Sequence, residues 1–315
     1  KRRIRERPKE MRDAFNTELN KLAAVDENVI LLTADIGFQV FDEFRGNYPD
    51  RFYNVGVAEA NMMGMATGLA LSNKKPFVYT IIPFLTMRAF EQIRTDICIM
   101  NQPVNIVGVG GGVAYGTLGP THHSLIDLAI LRALPNMTVI TPCDPIESML
   151  ATRASIEHNG PIYIRLGKNG EPNIHKDEYD FIIGKSVELI PGNDAVIISC
   201  GFVTNVALDA ARSLLGNGIN IGVQNMHTLK PIDTSEIINI AEKTSLILTI
   251  EEHNIIGGLG SAVAEVLSEN GCGVIHKRIG IRDKFCYGVG SQEYHLKKNG
   301  ISVSNITQII KKELN

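Results

Sequence analysis

The chain has 315 residues, enough for two domains of ordinary size. Hydrophobic residues make up 44% and charged ones 21%, and a net charge of −3 offers no broad basic surface to nucleic acid. No apolar run is long enough to span a bilayer and no leader pattern is visible, so a cytoplasmic protein that does not enter membranes is expected.

Residues 1–10 carry Lys1, Arg2, Arg3, Arg5, Arg7 and Lys9 and read as a solvated basic arm. Residues 11–25 place Met11, Phe15, Leu19, Leu22 and Ala23 on one stripe, which predicts an amphipathic helix. ENVILLTAD is a continuous apolar run closing on Asp35 and Gly37, the pattern of a buried parallel strand. RFYNVGV follows as a short strand. A helix is then expected from Glu59, with Met62, Met65, Ala66, Leu69 and Ala70 at helical spacing. Gly64, Ala66, Gly68 and Ala70 leave it little bulk, so another backbone can approach it. Glu59 falls in the first turn, where an acid complements the helix dipole, with Asn54 or Gly56 near the cap.

KPFVYTII reads as a strand and FLTMRAFEQIRTDICIMN as one long helix. VNIVGVGGG is a strand running into glycines, SLIDLAILRALP a helix, MTVITP a strand, PIESMLATRASIEH a helix and PIYIRLG a strand. Residues 169–192 are polar, with Pro172 and Pro191 near their ends, and read as a linker between domains 11–168 and 193–315. Beyond it DAVIISCG, INIGVQN, SLILTIEE and CGVIHKRIG are strands, and VTNVALDAARSLLG, TSEIINIAEK, GLGSAVAEVLSE and TQIIKKEL are helices. This alternation predicts an α/β chain of two domains, each a mostly parallel sheet flanked by helices.

Several chemistries are excluded by spacing. Gly108-x-Gly110 has Val113 where a dinucleotide fingerprint needs a third glycine, and Gly258-x-Gly260 has Val263. GxxxxGK[ST], GxSxG and HExxH are absent. His122 and His123 are adjacent, and neighbouring side chains seldom converge on one ion, so no metal is expected there. Cys98, Cys143, Cys200, Cys272 and Cys286 lack CxxC spacing, and all but Cys286 lie in or beside apolar stretches; buried free thiols in a reducing compartment are expected.

GVAEANMMGMATGLA, YTIIPFLTMRAFEQIR, GPTHHSLIDLAILRALPNMTVITPCDP, PIYIRLGKNGEP, MHTLKP and IEEHNIIGGLGSAVAEVL together resemble the transketolase family, in the family's order, from about Met11 onward. The resemblance implies a pyrimidine-binding domain followed by a transketolase C-terminal-like domain, and thiamine diphosphate as cofactor. In that chemistry the cofactor's own 4′-amino group takes a proton from the thiazolium ring. A carboxylic acid at pyrimidine N1′ holds the tautomer that can do so. Glu59 matches this acid. Phe84 matches one aromatic wall of the ring; the second falls on Ile81 or Met87, and Phe90 is a further wall residue or helix core. Asp35 matches an acid near the cofactor, or is a strand-end turn acid.

His122 matches the histidine that faces substrate, where an imidazole moves hydroxyl protons, and His123 stands beside it without a fixed counterpart. Leu118 replaces the acid with which many transketolases read a donor hydroxyl, which puts the usual sugar-phosphate ketose in doubt. Lys168 matches a substrate-phosphate arginine, with Arg165 a second basic candidate. Glu251, Glu252 and His253 are expected to be structural.

The sequence has no GDG triplet. The resemblance therefore implies that the diphosphate and its Mg²⁺, which needs hard oxygen ligands, are held by a separate N-terminal subunit with a GDG…N motif, in a heterotetramer. The expected activity is that of the C-terminal (β) subunit of a transketolase, moving a two-carbon ketol unit from a ketose or ketose phosphate to an aldose. Rival expectations are the β chain of a 2-oxoacid dehydrogenase, a deoxyxylulose-phosphate-synthase-like enzyme, and a non-catalytic stabilising subunit.

Overall fold

The computed structural model describes residues 10–168 and 170–314, so the basic run from Lys1 to Lys9 lies outside the described residues. The first sheet contains β1 (Val29–Thr33), β2 (Phe52–Asn54), β3 (Lys75–Ile81), β4 (Asn105–Val109), β5 (Thr138–Ile140) and β6 (Ile162–Leu166), all parallel. β1, β4 and β6 are buried at every position, as runs of Val, Ile and Leu demand when helices cover both faces. In register, Leu32 sits between Tyr53 and Val78, and Val109 lies beside Leu166.

The connecting helices are α1 (Met11–Val25), α2 (Asp42–Asn47), α3 (Glu59–Leu71), α4 (Phe90–Gln92), α5 (Asp127–Arg132) and α6 (Pro145–Ser155). α6 starts sharply because Asp144 accepts a hydrogen bond from the Glu147 amide and Pro145 occupies the first turn. α3 has no side-chain cap: Ala58 precedes it and Glu59 is its first residue. Asn54 is not the cap. Its Oδ1 instead accepts from the Asp35 and Gly56 amides and fixes the turn into α3.

The stretch expected as one long helix is broken. Phe84–Arg88 and Ile93–Cys98 are π-helical turns on either side of α4. A π turn takes in one extra residue and rotates the side chains that follow.

The second sheet has the order β12-β11-β8-β9-β7. Its strands are β7 (Val187–Ile190), β8 (Ala195–Ser199) and β9 (Ile221–Asn225), then, after β10 (Thr228–Lys230), β11 (Leu246–Asn254) and β12 (Ile275–Ile281). Its helices are α7 (Thr204–Leu215), α8 (Thr234–Lys243), α9 (Leu259–Glu269), α10 (Gln292–Lys298) and α11 (Val303–Leu314). β7 lies within the stretch read as a linker and pairs antiparallel with β9. β10 leaves the second sheet's series and pairs antiparallel with β5 at the edge of the first. One apolar cluster runs from Leu32 and Val78 through Leu128 and Leu131 to Ile198 and Ile247, so the two sheets share a core. Among the described residues no helix is long and apolar enough to cross a membrane. All five cysteines are free; Cys98, Cys143, Cys200 and Cys286 are buried, and Cys272, expected to be buried, is only partly so.

Candidate cofactor and substrate site

The ends of β1, β3, β4 and β6 point the same way, because the strands are parallel, and the loops after them meet above the sheet. Glu59 sits there with 3% of its surface exposed. Arg88 donates from Nη1 to both of its carboxylate oxygens, at 3.0 and 3.2 Å. The same guanidinium lies 4.2 Å above the centre of the Phe84 ring. Phe84 and Arg88 are four residues apart on the first π turn, so one residue supplies an aromatic face and the other a cation beside the buried acid.

The row continues. The His122 ring meets Phe84 edge-on with centroids 5.2 Å apart, and Tyr115 is 6.1 Å from His122 on another side. The Thr121 hydroxyl lies 2.9 Å from His122 Nδ1. Lys168 Nζ stands 4.7 Å from the centre of the Tyr115 ring. Tyr115 lies flat against the backbone of Gly110, whose φ is +89° and where a Cβ would come within 2.1 Å of the ring. Only glycine admits that packing. Gly112 likewise leaves room for Glu252, which accepts the Val113 amide at 2.8 Å and ties the glycine loop to the second domain.

Glu59, Phe84, His122 and Lys168 are thus brought into one continuous row. Other candidates lie elsewhere. Arg165 is 6% exposed and turned inward: it bonds Asp127 Oδ2 at 2.8 Å, the Ser124 carbonyl at 2.8 Å and the Glu252 carbonyl at 3.1 Å. A guanidinium committed to a buried carboxylate and two carbonyls braces the loop that follows His122 and His123 and has no face left for a substrate phosphate. His123 is 4% exposed and packs edge-on against His295 at 5.2 Å, away from the row. Burial, then the neighbouring His295 and His122, push its pKa down to about 4, so it is neutral near pH 7.

His123 also borders a cleft of about 430 Å³ with Met87, Thr121, Phe285 and Tyr287. Phe90 is half-buried against the core beneath α4, the core alternative expected for it. Asp35 is exposed, at φ 51°, and pairs with Asn54 at the end of β1. Of the two positions open for a second aromatic wall, Ile81 packs into the core and Met87 is exposed. Glu251 accepts the amides of Leu259 and Gly260 at the start of α9, and burial pushes it up to about 7.

Arg88 and Tyr115 were not singled out in the sequence. The signal for Arg88 was its spacing from Phe84, one helical turn on; for Tyr115 it was the preceding run of glycines, which lets a ring lie on backbone.

Residues 7–171 match the profile described as "Transketolase, pyrimidine binding domain", and residues 184–306 that described as "Transketolase, C-terminal domain". The chain belongs to the transketolase family. It is 38% identical over 296 residues, 92% of its length, to one of the subunits of the apulose-4-phosphate transketolase of Phocaeicola vulgatus, covering 94% of that protein. It is 36% identical over 297 residues to 1-deoxy-D-xylulose-5-phosphate synthase 1 of Geobacter metallireducens, of which it spans 47% and which spans 93% of it. A solved structure described as a split gene transketolase, inactive beta4 tetramer, superposes with a TM-score of 0.90 at 36% identity, over 98% of this chain and 99% of that one. The transketolase-family placement accounts for both sheets: the first profile covers β1–β6, and the second covers the second sheet together with β10, which joins the edge of the first.

Proposed function

We propose that this chain is the β subunit of a split, cytoplasmic transketolase that moves a two-carbon ketol unit from a ketose to an aldose. The observation that carries this reading is the row of Glu59, Phe84, His122, Tyr115 and Lys168: a buried carboxylate beside an aromatic face, then an imidazole and a cation. These residues suit the pyrimidine end of thiamine diphosphate. The acid is desolvated, as a proton-sharing group at a ring nitrogen must be, and the Phe84 ring offers a face for a planar heterocycle. When bound, thiamine diphosphate supplies a carbon nucleophile that carries the two-carbon unit.

The chain's own residues do the rest. Glu59 holds a proton at the ring nitrogen, Arg88 fixes the carboxyl, and Phe84 covers one ring face. His122 moves protons on the sugar hydroxyls, and Lys168 attracts a substrate phosphate as a point charge. Leu118, 51% exposed, offers no acceptor to a donor hydroxyl, which favours a specialised ketose over the common pentose phosphates. The diphosphate and Mg²⁺ fall to a partner chain with the GDG…N motif, because this sequence has no GDG triplet. Gly64 and Gly68 on α3 have open space around them, and Met65 and Leu71 are exposed beside them. That face suits the partner's approach, in a heterotetramer.

The test is reconstitution. The purified chain titrated with thiamine diphosphate and Mg²⁺ is expected to show no tight binding, and the mixture with the GDG-bearing partner is expected to bind both and to transfer ketol units. Saturation and turnover by this chain unaided would overturn the proposal.

A further inference from the structure

Away from the row, the β5–α6 turn, the segment before β7 and the end of β9 meet around three side chains. Cys143, Glu147 and His175 place Sγ, a carboxylate oxygen and a ring nitrogen all within 4.8 Å of one another. Cys143 and Glu147 are fully buried, and the His175 side chain is 10% exposed. We propose that Cys143, Glu147 and His175 form a structural site for one divalent transition-metal ion, Zn²⁺ by the nature of its donors, stapling the junction of the two domains.

Four observations carry this. First, His175 is oriented as a metal-binding histidine is. Its Nδ1 lies 3.1 Å from Asp144 Oδ2, and the same carboxylate oxygen accepts the His175 amide at 2.7 Å. A carboxylate on one ring nitrogen fixes the tautomer that leaves the other free to ligate. Second, that other nitrogen, Nε2, is buried without a hydrogen-bond partner. It faces Glu147 Oε1 across 3.9 Å, near the roughly 3.4 Å that separates nitrogen and oxygen ligands of a tetrahedral zinc ion.

Third, Asp144 and Glu147 are two buried carboxylates whose ion pairs, among the described residues, run only to His175. A dication neutralises this excess of buried negative charge. Fourth, Asn225 is fully buried with its Oδ1 unpartnered, while its Nδ2 lies 3.4 Å from Cys143 Sγ and bonds Glu147. These two bonds fix the amide end toward the thiol and the carboxylate, so Asn225 supports the ligands from outside and a water takes the fourth place. A thiol and an imidazole select zinc over Mg²⁺ or Ca²⁺. Burial and the two carboxylates hold the Cys143 thiol protonated when no metal is present, so binding forms the S–Zn bond and releases the thiol proton to solvent.

The alternative is a hydrogen-bond network that needs no ion, since Glu147 already accepts from the Cys143 amide and the Tyr179 hydroxyl. The two separate cleanly, and independently of any thiamine chemistry. The full chain is loaded with ZnCl₂, freed of excess metal by gel filtration and assayed for zinc, with Co²⁺ loading in parallel. One zinc per chain is expected. Zinc at about a hundredfold its Kd should raise Tm by roughly 4 °C, and EDTA should reverse it. The Co²⁺ form should show a thiolate charge-transfer band that Cys143→Ser lacks. His175→Gln, folded by circular dichroism, should retain no zinc. A wild-type chain that keeps no zinc and shows no cobalt band, or a His175→Gln chain that keeps as much as wild type, overturns the proposal.

Discussion

Glu59→Gln separates the chemistry of the row from its stability. Glu59 is 3% exposed, and its carboxylate accepts from one Arg88 nitrogen at 3.0 and 3.2 Å. The substitution keeps the volume and one accepting oxygen and removes the charge. Arg88, with 48% of its side chain exposed, rehydrates readily, so the loss is that of one half-solvated charge pair, about 1 kcal/mol. Over 315 residues, at about 2.1 cal/mol/K of unfolding entropy per residue, that lowers Tm by roughly 1.5 °C. An amide cannot share a proton with a ring nitrogen as a carboxyl does, and losing a proton-transfer partner costs about 10²–10⁴ in rate, or about 2.7–5.4 kcal/mol of barrier. Calorimetry on the variant and ketol-transfer rates on the mixed subunits measure the two effects separately. A Glu59→Gln complex that kept the wild-type kcat would refute the assignment of Glu59. So would a loss of activity accompanied by collapse of the fold.

Other expectations follow from single contacts. Lys168→Met should raise KM for phosphorylated donors about tenfold and leave an unphosphorylated donor unaffected, because only a point charge is removed; equal effects on both in steady-state kinetics would exclude a phosphate role. Asp127→Ala leaves the Arg165 guanidinium buried without its counter-charge and should cost about 3–5 kcal/mol in urea unfolding. His123 has a folded pKa near 4 against an ordinary value of 6.5, so the unfolded chain binds its proton first. The stability that this neutral ring contributes is complete above pH 6.5 and drains away as pH falls toward 4. His123→Leu should therefore lose less stability than wild type across that window, read as Tm against pH; parallel curves would rule the titration out.

The sequence by itself determined much of this protein. Continuous apolar runs such as ENVILLTAD and VNIVGV, alternating with helical periodicity, required parallel sheets covered on both faces, because side-chain burial on a strand is written locally. Glu59 at the first turn of a small-residue helix and the GPTHH turn were legible for the same reason. Other features depend on what stands opposite in space, and no local pattern reports that. β7 and β10 are four and three residues long and become strands only by pairing with β9 and β5. The break of the expected long helix into π turns decides that Arg88 reaches Glu59 while lying over Phe84. Arg165 and Lys168, three residues apart, are both basic candidates in the sequence, Lys168 matching the phosphate position and Arg165 standing second. Tertiary structure separates them, because β6 aims one into the interior at Asp127 and the strand ends before the other, leaving it beside Tyr115. The meeting of Cys143, Glu147 and His175 was out of reach of the sequence alone, since it depends on where the segment before β7 folds back against α6.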